Sequence, residues 1–196
     1  QSISTETKIA LKLNAASAYI RQNKPTEAES EYQQILKLSP NNLVVVSAYA
    51  DMLISVGNLD GAEDLLLGYR TKIPSSAVLL HAFGKLQHAR GQKEEALETF
   101  KKVDNLQPSN PLFMRSLAAE LAELGDYEEA RKVITKIEQQ TPADIQIRLL
   151  KARILALTKQ QFEADKILQQ LTQELSLLDE KQRNERIQLS VVTGIV

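Results

Sequence analysis

The sequence predicts an all-α solenoid of antiparallel helix pairs, and three observations predict it. The prolines Pro40, Pro74, Pro108 and Pro142 stand 34 residues apart each time. With 6 Pro in 196 residues, three further hits in register are not chance. Small residues keep the same clock. In a unit that starts at Ile9, the eighth place holds Ala16, Ala50, Gly84, Ala118 and Ala152, and the twentieth holds Ala28, Ala62, Ala96, Ala130 and Ala164. Ala and Gly together make up only 27 of the 196 residues, so ten small residues out of ten is a signal independent of proline. Between the two small places lie turn signals: Asn23-Lys24-Pro25, Gly57-Asn58, Gly91 and Gly125-Asp126.

Each unit then reads as helix A, a tight turn and an antiparallel helix B, with the backbones close together at the small pair. The units are 9–42, 43–76, 77–110, 111–144 and 145–178. In the first, Leu13, Ala16, Tyr19 and Ile20 mark helix A, and Ala28, Tyr32, Ile35, Leu36 and Leu38 mark helix B. In the third, Leu79, Leu80, Phe83 and Leu86 are followed by Ala96, Leu97, Phe100, Val103 and Leu106. These are helical i, i+3, i+4 stripes. The recurring proline is expected to end helix B, because it lacks a backbone donor and disfavours helical geometry in the residue before it. Asn42, Ser76 and Ser109 or Asn110 are expected to cap the next helix A, with Pro111 suited to a first helical position. Acidic residues open several B helices (Glu27, Glu94, Glu95, Glu128, Glu129) and basic ones lie nearer their ends (Lys37, Lys101, Lys136), as the helix dipole favours.

Residues 1–8 are read as a lead-in. Residues 179–196 are read as a further helix, either a cap or a truncated sixth repeat. The tail "SVVTGIV" is apolar for a cap, so self-association through this helix is an expectation. Gln1 in place of Met is read as a removed leader or a piece of something longer.

Composition narrows the function. Net charge is −1, which argues against a general nucleic-acid binder. There is no Cys, hence no disulfide frame, thiolate zinc site or cysteine nucleophile. No apolar run approaches the roughly 18 residues that span a bilayer. No phosphate loop, nucleophile elbow or H-E-x-x-H occurs. His81 and His88, the only histidines, stand seven apart on one predicted helix, roughly 10 Å along its axis, too far to share a zinc ion. No metal, cofactor or catalytic residue is expected, and the chain is read as a non-enzyme.

The pattern resembles the tetratricopeptide repeat family, whose unit reads W-x2-L-G-x2-Y, then A-x3-F, then P. In the third unit those places hold Leu80, Phe83, Gly84, Gln87, Ala96, Phe100 and Pro108; in the first, Lys12, Ala15, Ala16, Tyr19, Ala28, Tyr32 and Pro40. Trp is absent throughout, and Ser176 stands where the fifth proline is expected. The resemblance covers residues 9–178. It implies a right-handed superhelix whose A helices line a concave groove, and a scaffold that holds a protein or peptide partner there.

By the same resemblance, groove side chains come from the second, fifth, ninth, twelfth and thirteenth places. The first half of the groove is then apolar and neutral, with Val44, Ser47, Asp51 and Ile54 among its residues. From the third unit onward a basic strip is expected: His81, Lys85, His88, Arg115 and Arg153. Such a strip implies a partner bearing acidic or carboxylate groups, bound more tightly when the histidines take up protons near pH 6.5. The Lys-Asn-Asn-Lys-Arg set with which some family members grip chaperone tails is absent; Leu13, Ser17, Ala48, Val78 and Ala82 stand there. The alternative is a segment of a longer bacterial envelope assembly protein, for secretion, pilus or exopolysaccharide export, docking a membrane machine. The Gln- and Leu-rich style leans to that envelope setting, by resemblance.

Overall fold

A computed structural model of the chain describes residues 4–177. Ten α-helices follow one another, with a single short 3-10 helix and no strand among the described residues. They are α1 (Thr5–Arg21), α2 (Pro25–Leu38), α3 (Leu43–Ser55), α4 (Leu59–Leu67), the 3-10 helix (Ile73–Ser75), α5 (Ala77–Ala89), α6 (Lys93–Leu106), α7 (Pro111–Glu123), α8 (Tyr127–Gln140), α9 (Ile145–Leu157) and α10 (Gln161–Ser176). The expected helix pairs are present. The chain divides into two compact units, residues 1–99 and 100–196, with the division falling inside α6.

In the first unit, α1 packs on α2, α3 on α4, and α3 side by side with α5. Tyr32 and Tyr49 stack at the centre, ring centroids 5.3 Å apart and nearly parallel. Ile35, Val46, Leu53, Leu66, Leu79 and Leu86 fill the core around them. In the second unit, α7 packs on α8 and α9 on α10, with α8 also against α9. Phe113, Leu117, Ile134, Ile137, Ile147 and Ile154 are buried there. All ten small residues at the eighth and twentieth places are buried, as close helix crossing requires.

The turns repeat as faithfully as the cores. A left-handed backbone recurs at Asn23, Gly57, Gly91, Gly125 and Lys159, one position per unit. Nothing lies within 4 Å of a side chain added at Gly57, Gly91 or Gly125, so backbone geometry alone favours glycine there. The caps fall where the sequence places them. Asn42 accepts from the Val45 amide, Ser76 from Leu79, Asn110 from Leu112, and Pro111 opens α7. Asp144 caps α9 through the amides of Gln146 and Ile147.

Three expectations need correction or closure. Pro40, Pro108 and Pro142 follow helix ends at Leu38, Leu106 and Gln140, but Pro74 does not end α4. That helix stops at Leu67, where Gly68, a poor helix former, is followed by i to i−3 bonds from Tyr69 and Arg70. The Tyr69 hydroxyl then donates to the Pro40 carbonyl at 2.7 Å, and Pro74 sits in the 3-10 helix. At the start, residues 5–8 are the first turn of α1 rather than a lead-in, because the Ser4 hydroxyl accepts from the Thr7 amide. The expected terminal helix and its "SVVTGIV" tail lie outside the described residues.

The last B helix differs from the others in exposure. Tyr32, Leu66 and Ile134 share one repeat place and are buried, because α3, α5 and α9 pack over their helices. Leu168 holds the same place on α10 and is 42% exposed.

Candidate functional site

Helices α3 and α5 of the first unit present a common face, built from the second, fifth, ninth and twelfth places. On α3 these are Val44, Ser47, Asp51 and Ile54; on α5, Val78, His81, Lys85 and His88. The spacing of three, four and three residues keeps each set on one side of its helix. Helix B packs against the other side, through small residues such as Ala50 and Ala62, and so leaves this face open. Val44 is 65% exposed, while Val78 and Ile54 are half-buried.

Two bonds stitch the face together. The Ser47 hydroxyl donates to the Val78 carbonyl at 3.1 Å. One turn deeper, Lys85 Nζ lies 3.1 Å from Asp51 Oδ1. That oxygen is sealed from solvent, although the Asp51 side chain as a whole keeps 35% of its surface exposed. Burial pushes the Asp51 carboxyl upward, and the Lys85 ammonium opposes the shift.

His81 departs from its expected role. It points into the packing and is only 6% exposed. Burial first, and the Lys85 charge second, lower its pKa to about 3. It therefore stays neutral through the mildly acidic range and adds no charge for a partner, contrary to the sequence expectation. His88, two turns further on, is exposed.

The second unit holds Arg115 and Arg153. Arg115 Nε donates to the Pro111 carbonyl at 3.3 Å and lies 3.5 Å from Asp144 Oδ2. Asp144 thus serves twice, capping α9 through one oxygen and facing Arg115 with the other. Arg153 Nη2 donates to Glu123 Oε1 at 3.0 Å, from a side chain that remains largely exposed. Lys85 and Arg153 therefore each face a carboxylate from the preceding repeat, and Arg115 faces one at the end of its own. The strip read from the sequence as basic consists, at these three residues, of ion pairs.

Part of this pairing had a visible signal. Asp51 and Lys85 hold the same place in successive units, 34 residues apart and opposite in charge. The role of Asp144 had none, since a cap residue seldom doubles as an arginine partner. Among the described residues, no three His, Cys, Asp or Glu side chains are grouped to hold a metal ion, and no helix is long and apolar enough to cross a membrane.

Comparison with known proteins agrees with the fold. The family model for the tetratricopeptide repeat matches residues 19–79 and 87–154. Among solved structures, a thermophilic repeat protein from Thermus thermophilus is similar over 98% of this chain and 100% of its own, with a TM-score of 0.71 at 13% identity. MamA 41-end from Desulfovibrio magneticus RS-1 is similar over 88% of this chain and 98% of its own, with a TM-score of 0.64 at 14% identity. PilF of Pseudomonas aeruginosa is similar over 93% and 81%, with a TM-score of 0.63 at 21% identity. At these identities the likeness is one of fold. No curated protein sequence matches the chain.

Proposed function

The chain belongs to the tetratricopeptide repeat family, and from that premise we propose that it is a non-catalytic scaffold that holds a partner protein segment along its A helices. The observation that carries this reading is the open face of α3 and α5. It is stitched by the Ser47 and Lys85 contacts, yet it leaves Val44 65% exposed. Stacked hairpins bury their small pairs inward and leave such a face free, so recognition follows from shape and side-chain placement, without bond chemistry.

A photo-crosslinking amino acid tests the proposal, placed either at Val44 or at the exposed Glu27 on α2. Illumination in native lysate should yield discrete adducts from position 44 and none from position 27. Adducts confined to position 27 would move recognition to the B helices and sink the reading.

A further inference from the structure

The α3–α5 face of the first unit has a chemical character that names the kind of segment it fits. Its ammonium is already answered, because Lys85 lies 3.1 Å from Asp51. Its imidazole at position 81 is buried and uncharged. The one hydroxyl at its centre, that of Ser47, is committed to the Val78 carbonyl. What remains for a partner to touch, apart from the exposed His88 toward the end of α5, is apolar: Val44, 65% exposed, and the half-buried Val78 and Ile54.

We infer that this face takes an apolar, uncharged segment of a partner protein, such as the apolar stripe of a helix, and discriminates against acidic segments. The inference deepens the scaffold reading and rests on it. Charge complementarity supplies the direction. A partner carboxylate laid over Val44, Val78 and Ile54 would be desolvated while the neighbouring Lys85 ammonium is already paired. It would also sit beside the Asp51 carboxylate and compete with it for Lys85. An apolar side chain meets neither cost and gains from covering Val44.

A phage-displayed library of random dodecapeptides, panned on the full chain, tests this. The parent should enrich uncharged, apolar sequences. Val44→Asp should cut their capture by at least about tenfold, the effect of roughly 1.4 kcal/mol of lost binding. Asp51→Asn, which leaves Lys85 unanswered, should turn the selected pool toward acid-bearing peptides. Acidic peptides enriched by the parent would overturn the inference while leaving the scaffold reading intact. Pools indifferent to both Val44→Asp and Asp51→Asn would overturn it as well. No enrichment by any of the three proteins would count against the inference and the scaffold reading together. Thermal melting of each variant shows that it is folded before panning.

Discussion

Lys85 and Asp51 stand one whole repeat apart, and their charged ends meet at 3.1 Å. The pair bridges α5 and α3, the two A helices of the first unit that pack side by side. In a solenoid each repeat touches only its neighbours, so such a bridge acts where units cohere.

Breaking the pair on one side should therefore cost more than removing it whole. Lys85→Met leaves the sealed Oδ1 of Asp51 without its cation. The expected loss is roughly 1–2 kcal/mol, between the values for exposed and for fully buried pairs. Adding Asp51→Asn should restore part of it. Urea melts of the two single variants and the double variant form the cycle, and strict additivity would contradict a direct coupling.

Lys159 occupies the left-handed turn position that Gly57, Gly91 and Gly125 fill in earlier units. A residue with a β-carbon is strained there by about 1 kcal/mol. Lys159→Gly should relieve that strain and raise the melting temperature. Gly125→Ala should do the reverse. Unchanged melting in both would show that the turn tolerates a side chain.

Ile134 and Leu168 hold the same repeat place in different surroundings. Ile134 on α8 is buried against α9, whereas Leu168 on α10 is 42% exposed. Ile134→Ala should cost about 2–5 kcal/mol through the cavity it leaves. Leu168→Ala should cost under about 1 kcal/mol, as at a surface site. Equal losses in chemical denaturation would mean that something covers Leu168 in solution.

The helices were legible because repetition multiplies weak signals. One proline or one alanine says little, but the same residue type at the same place in five units leaves one architecture. The early end of α4 was not legible from that clock, because Pro74 keeps the register while Gly68 breaks the ladder six residues before it. The turn at Lys159 was hidden for a related reason, since lysine carries no turn signal of its own. At the candidate site, the place of each side chain could be read, but not its charge state or partner. A histidine at a groove place can face solvent or the core, and a small rotation of the helix decides which. The partners of Arg115 and Arg153 depend on carboxylates that lie 29 and 30 residues away in sequence.

His81 gives the sharpest pH test, because its pKa falls on folding. Burial takes it from an ordinary 6.5 to about 3, so the unfolded chain binds a proton there between those pH values and the folded chain does not. Stability must then rise with pH across this window and fall as pH drops below 6.5, by up to about 1.4 kcal/mol per unit. The Lys85 ammonium, whose charge acts on the ring, reinforces the shift. Most carboxylates titrate below pH 5, and because burial raises the Asp51 carboxyl, the comparison with a His81 variant is what isolates the histidine. Melting curves taken from pH 6.5 to 5 should show the parent weakening steadily. His81→Leu should flatten the slope even if its overall stability changes through lost packing, because slope and offset are separate readings. A parent whose stability holds constant from pH 6.5 to 5 would mean that His81 takes up its proton in the folded state. The imidazole would then belong to the solvated groove, and acid would add to its charge.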